Sequence, residues 1–408
     1  MTMTSRDGWR RVVFGDIVED SAFGPRFSGG AYSDSGNVRT LRTTDISSDG
    51  RISYETMPLA ELDETKFETH FLKPGDLVIT RSGRIGTAAV FDDYPQPVLP
   101  GAFLIRFRLL KDADARYFRY WFNSVEGQHA LLSVARGVAQ QNINITNVKK
   151  LKVPLPPVNT QRAIASILSA YDDLIENNRR RIQLLENAAR LLYKEWFVNL
   201  RFPGHEHVRI KNGVPEGWKR VKASEILEIN PRETVAKNSE IRYVPMASLS
   251  ESGLTIDLSQ VTTRLDPTTV RFRNRDILFA RITPCLENGK TAFVDFLPDS
   301  EVACGSTEFI VLRGRDVSPY FTYCLARTDH LRGAAIKSMI GSSGRQRVQV
   351  SVFDEYSLGL PPESLLTQFD EFASSCFEQI RCLTQQNSRL DESRKLLLVK
   401  LMNGDVSV

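Results

Sequence analysis

Apolar residues are arranged along this chain in two rhythms, which alternate and then repeat. Six short runs are almost continuously aliphatic or aromatic and end at turn-forming residues: DLVITRSG (76–83), GTAAVFDD (86–93), AFLIRFRLL (102–110), DILFARI (276–282), TAFVDF (291–296) and EFIVLRG (308–314). Such runs read as strands. Residues 115–134 and 318–336 carry helical spacing. The predicted class is therefore α+β, with mainly antiparallel or mixed sheets.

The second rhythm is longer. Pro156-Pro157 ends a strand-like run, Thr160 is placed to cap a helix, and no Pro or Gly follows until Pro203. Apolar positions then recur at alternating three- and four-residue steps: Leu168, Tyr171, Ile175, Asn178, Ile182, Leu185, Ala189, Leu192, Trp196. A second seam runs Phe369, Phe372, Cys376, Ile380, Leu383, Asn387, Leu390, Arg394, Leu397, Leu401. Its rhythm slips at Cys376–Ile380, and Arg394 is an awkward member. Both read as coiled-coil faces, each about 55–60 Å long at 1.5 Å per residue. Asn178 and Asn387 either meet and fix the register or face water.

The rhythms repeat because the chain does. GWRRVVFGDIVE (8–19) answers GWKRVKASEILEI (217–229), and RTLRTTDI (39–46) answers RYVPMASL (242–249). GDLVITRSGRIGTAAVFDD (75–93) answers RDILFARITPCLENGKTAFVDF (275–296). VPLPPVNTQ (153–161) answers LGLPPESLLTQ (358–368), with two extra residues before Thr-Gln. Matches in constant order are the mark of a duplicated unit. The expected division is a first domain at 1–155, a spacer helix at 156–200 and a linker at 201–216. A second domain at 217–360 and a second helix at 361–408 follow. If the helices bury each other's seams, they form an antiparallel coiled coil with one domain at each end, related by a pseudo-two-fold axis.

Charge adds a partner to this architecture. The net charge is only +4, but residues 127–171 and 330–353 contain no Asp or Glu while keeping several Lys and Arg. Each window leads into one Leu-Pro-Pro hinge. Basic stretches cleared of carboxylates suit a polyanion. A two-fold pair of unequal domains on duplex DNA would read two different half-sites.

Little in the chain suggests chemistry. PCLENGKT (284–291) has Pro where a phosphate loop needs Gly, and a strand-like run follows it. The three residues His205-Glu206-His207 lie in a linker without a third ligand. Asn230-Pro231-Arg232-Glu233 departs from an adenine-methyltransferase motif at two positions, and PDSEV (298–302) lacks the Lys of a nuclease core. Five cysteines without a C-x-x-C pair read as free thiols. No catalytic residue and no metal ligand is expected. Nor is a membrane span or signal peptide.

Base edges are read by Arg, Asn, Gln, Ser and Thr. Two loops per domain offer them. The first holds Arg81, Ser82, Gly83 and Arg84 in one half, and Arg281, Thr283, Asn288 and Lys290 in the other. Gly83 and Gly86 would let the backbone approach a phosphate. The second holds Arg136, Gln140, Gln141 and Asn142 in one half, and Ser343, Arg345, Gln346 and Arg347 in the other. Gln141 falls opposite Gln346, an amide that suits either adenine or its own loop backbone. A weaker third pair is Arg42-Thr43-Thr44 against Met246-Ala247-Ser248. Arg179, Arg180 and Arg181 read as a solvated or subunit-facing patch.

Two α+β domains, each followed by a long helix introduced by Leu-Pro-Pro and Thr-Gln, resemble the specificity subunit of Type I restriction-modification enzymes. The segments LPPVNTQRAIASILSAYDDLIENNRRRIQLLENAARLLYKEWF and RLDESRKLLLVKLMNGDV carry the resemblance, with GDLVITRSGRIG. The resemblance implies two target recognition domains reading a split site on double-stranded DNA. It also implies two modification subunits, which methylate adenine, and restriction subunits, in a bacterial or archaeal cytoplasm. S-adenosylmethionine, ATP and Mg would sit on those partners, with no cofactor on this chain. A solitary or Type II-associated recognition subunit is one alternative. A coiled-coil scaffold that binds only proteins is another.

Overall fold

The computed structural model describes residues 8–82, 84–134, 143–236, 238–265, 269–342 and 344–408. The chain divides into two compact units, Met1–Leu174 with Arg389–Val408, and Ile175–Ser388. Each unit contains a stretch of both long helices.

In the first unit, a four-stranded sheet runs in the order Val18–Phe23, Leu104–Leu109, Leu77–Thr80, Ala88–Val90, all antiparallel. A three-stranded sheet orders Leu59–Ala60, Val38–Leu41, Val98–Pro100, the last pair parallel. All four residues of Leu77–Thr80 are buried. Leu77 and Ile79 enter a core shared with the helices, whereas Val78 enters the core against the smaller sheet. Burial on both faces is why the sequence shows an unbroken apolar run instead of alternation.

The second unit repeats the plan. Its sheet orders Leu227–Ile229, Phe309–Gly314, Ile277–Ala280, Thr291–Phe293. Ile277 and Phe279 face the helix-side core, and Leu278 faces the other. The companion sheet again holds one parallel pair, Glu240–Val244 with Val302–Gly305. The Asp shared by the two copies is structural. Asp76 accepts two hydrogen bonds from Arg108 (2.8 and 2.9 Å) and one from Lys73 N. Asp276 accepts two from Arg313 (both 2.7 Å) and one from Arg273 N.

The hinge closes each globular part. Arg10–Val13 pairs antiparallel with Lys152–Leu155, and Lys219–Lys222 pairs with Ser357–Leu360. The helices Val158–Tyr193 and Glu363–Met402 start immediately after Pro-Pro in both copies. Thr160 is thus inside the first turn and not its cap, because Gln161 N already donates to Pro157 O (3.0 Å). The two extra residues of the second copy are absorbed within its helix. The role expected of the repeated Thr-Gln also divides. Gln161 is fully buried and donates to Asp112 O and Pro156 O while accepting from Asp114 N, whereas Gln368 is exposed.

The two long helices run antiparallel within each unit. In the first, Asp172 pairs with Arg394, and Leu168 shares a core with Leu401. In the second, Asn178 meets Asn387, and Tyr193 packs edge-on to Phe369 at 5.9 Å. The rhythm of the second seam does not slip. Phe372 is exposed, and the small Ala373 occupies its place, so the steps from Phe369 through Cys376 to Leu401 alternate four and three. On the first helix, Tyr171, Leu185, Leu192 and Trp196 are only half-buried. Their neighbours Asp172, Glu186, Tyr193 and Phe197 are buried instead, because that edge packs on the globular part.

The asparagines face each other and not water. Asn178 Nδ2 donates to Asn387 Oδ1 (2.9 Å) and Gln386 Oε1 (3.1 Å), and Asn387 Nδ2 reaches Ile175 O at 3.3 Å. Asn178→Ala should cost about 1–3 kcal/mol, since it strands two acceptors, while Asn178→Leu with Asn387→Leu should recover most of it. Urea unfolding of the three proteins checks this. Among the described residues no helix is long and apolar enough to cross a membrane.

Candidate nucleic-acid interface

The two candidate loops of each unit are brought together at the end of the central strand. In the first unit, Ile143 N donates to Arg81 O (3.4 Å). In the second, Val348 N donates to Arg281 O (2.8 Å). These are equivalent positions of the repeat. The second unit extends the contact: Thr283 N donates to Gln346 O and Gln346 N to Thr283 Oγ1, both at 3.1 Å.

The basic side chains at these loops divide into held and free. Arg81 lies over the Phe23 ring at 4.5 Å. Arg281 donates to Val348 O (3.2 Å). Arg347 is bound through two nitrogens to Glu308, at 2.6–3.1 Å, and holds that carboxyl below its ordinary value. Asn288 donates to Glu251 and Lys290 to Met246 O. By contrast, the guanidiniums of Arg84 and Arg345 are exposed and make no ion pair or hydrogen bond among the described residues. Ser82 is half-buried in the same turn as Arg84. Gly83, Arg136, Gln140, Gln141, Asn142 and Ser343 lie outside the described residues.

Two sequence expectations are changed by packing. Gly86 is buried, with φ +84° and its carbonyl bound by Gln128, and a Cβ there would meet Leu131 at 3.2 Å. Its glycine serves the fold and does not approach a phosphate. Arg42 is clamped by Asp45 and Thr56 O, and Ser248 is buried, whereas Thr44 of the third candidate pair is exposed. The glycine-lysine segment forms turns over 284–289 and then the strand Thr291–Phe293, with no helix to receive a nucleotide phosphate. Among the described residues, no cluster of His, Cys, Asp and Glu is suited to a metal.

A family model described as the Type I restriction modification DNA specificity domain matches residues 6–187. The MjaIX specificity subunit of Methanocaldococcus jannaschii is 26% identical, the alignment covering 72% of this chain and 69% of that protein. The HindI specificity subunit of Haemophilus influenzae is 20% identical over 98% of this chain and 99% of its own. The first half of the chain thus matches the Type I specificity domain, and the chain is similar to Type I specificity subunits along most of its length. A crystal structure of the S subunit from M. genitalium has the same fold along 96% of both chains, with a TM-score of 0.58 at 16% identity.

Two residues that hold these loops were missed in the sequence. Phe23 supplies the surface under Arg81, and Glu308 supplies the counter-charge of Arg347. Glu308 was visible only as the residue preceding a strand. Phe23 lies far from Arg81 in the chain and carried no local signal.

Proposed function

We propose that this chain reads a bipartite, asymmetric site on double-stranded DNA through the paired loops of its two units. The observation that supports the reading is the equivalent contact Ile143–Arg81 and Val348–Arg281, which joins two loops in each copy. Each loop pair presents an exposed, unpaired guanidinium, Arg84 in one and Arg345 in the other. The long helices would separate the half-sites and receive two modification subunits. Adenine methylation, restriction and the binding of S-adenosylmethionine, ATP and Mg would belong to partner subunits in the cytoplasm. The chain itself would catalyse nothing.

Fluorescence anisotropy with duplex DNA, alone and with a modification subunit, tests the reading. Binding should weaken steeply with salt, by roughly 10³-fold or more between 50 and 200 mM if about six phosphates are contacted. Arg84→Gln and Arg345→Gln should each reduce affinity without changing the melting temperature. Absence of salt-dependent binding under both conditions rejects the DNA reading and leaves the protein scaffold. Co-purification with a methyltransferase separates a Type I assembly from a solitary subunit.

A further inference from the structure

The second unit contains a basic pocket beside the first long helix and two short helices. Its volume is about 470 Å³, and Arg190, Lys194, Arg327, Thr328 and His330 are among its lining residues. Arg190 and Lys194 come from the first long helix and the turn that ends it. Arg327 caps the helix Pro319–Ala326, and Thr328 caps Asp329–Lys337.

Arg327 is the centre of the argument. It is 6% exposed, one guanidinium nitrogen is bound to Gly289 O, and Nε has no partner. Among the described residues Nη2 makes no hydrogen bond either. A buried guanidinium with unused donors calls for an acceptor. No carboxylate supplies one: Glu186 is held by Tyr323 and Leu254 N and reaches Arg190 only at 3.7 Å. Arg332 stands close by, and burial together with Arg327 and Arg190 lowers its pKa below the ordinary arginine value. Arg332 does not line the pocket and donates to Leu286 O and Glu287 O (both 3.2 Å), leaving Arg327 and Arg190 as its lining arginines. Lys194 is exposed and unpaired, and the first N–H groups of Asp329–Lys337 open at the same place. Asp329 is the one acid of the lining, against three permanent cations.

The duplication provides an internal control. Asn123 occupies in the first unit the position that Arg327 has in the second, because Ser124 and Thr328 make the same pair of helix-joining bonds, and its side-chain amide is bonded to Ala88. Glu126 stands where His330 does. The fold is therefore built in one copy without these cations, and they are an addition of the second.

We propose that this pocket binds a phosphate group, held by Arg327, Arg190 and Lys194 with the start of the helix Asp329–Lys337. Phosphate is favoured over a single carboxylate because several donors converge from three elements on one tetrahedral acceptor. The phosphate is carried either by a small phosphomonoester or by a nucleic-acid backbone.

The test uses the full chain, titrated calorimetrically with inorganic phosphate and with AMP, against chloride at equal ionic strength. Saturable binding of one phosphate is expected, weakened about ten-fold in Lys194→Gln and in Arg190→Gln. Lys194 is exposed, so its variant should keep the parent melting temperature. Arg327→Gln should abolish binding, and the Lys194 variant retains the test if that protein fails to fold. Binding equal to the chloride control, or unchanged in both Arg190→Gln and Lys194→Gln, overturns the proposal. Competition then identifies the carrier: displacement of phosphate by duplex DNA assigns the backbone, and retention of phosphate in the DNA complex assigns a small ligand. Loss of phosphate binding with DNA binding intact would reject this site alone.

Discussion

Asp172→Ala should lower the stability of the first unit by about 3–5 kcal/mol, the largest effect expected of any helix substitution outside the aliphatic core. Asp172 is 3% exposed and lies on the first long helix. It accepts from Tyr120 Oη (2.6 Å) and from the guanidiniums of Arg119 and Arg394. The carboxylate therefore joins the globular part to both helices at once. Removing it leaves two low-exposure cations facing each other, with only Asp391 still on Arg394 (2.8 Å). Arg394→Met alone should cost less, since Asp172 keeps two donors. The double variant Asp172→Ala with Arg394→Met should be more stable than Asp172→Ala, because one stranded charge is gone. Calorimetric scans of the four proteins decide the matter. At roughly 2–4 °C per kcal/mol for a unit of this size, the single loss should be about 10 °C. A fall under about 2 °C would show that Asp172 is not the joint.

The second large effect concerns specificity. Replacing residues 1–155 with the corresponding domain of a Type I specificity subunit should change one half-site and leave the other unaltered, as read by methylome sequencing of cells carrying the complete system. A change in both half-sites would contradict modular reading. The join falls between Leu155, the last residue of its strand, and Pro157, whose carbonyl begins the helix. The incoming domain must still offer Gln161 the carbonyl and amide that Asp112 and Asp114 supply here. It must also place a donor pair on Asp172, as Arg119 and Tyr120 do. A graft lacking those groups should bind DNA poorly through instability and not through altered reading, which its melting temperature distinguishes.

The large divisions were legible because they are written as periods. Strands buried on both faces leave unbroken apolar runs, and a seam leaves threes and fours. The repeat shows because two copies keep the same hinge. What stayed hidden depends on partners distant in sequence. Phe372 outranks Ala373 in any apolarity reading, yet its place on the helix circumference points it to solvent. Asp172 and Glu186 lie beside the apolar seam as ordinary helix acids, and only Tyr120 and Tyr323, brought by equivalent helices of the two units, reveal them as buried joints. At the proposed interface, residue type identified the candidate arginines but could not separate them. Glu308 occupies Arg347 and Phe23 supports Arg81, whereas Arg84 and Arg345 remain available. That distinction is one of three-dimensional neighbours.

The paired strands at the hinge have a consequence for how such a chain can change. Arg10 lies opposite Leu155, and Lys219 opposite Leu360, so each globular part begins and ends at one spot. A module whose two ends emerge side by side can be removed and another inserted without altering the path of the chain before or after it. Closing such a loop costs little more for a long module than for a short one. Recombination between genes can therefore alter a domain's length and surface freely, provided the two closing strands and the Pro-Pro step are kept.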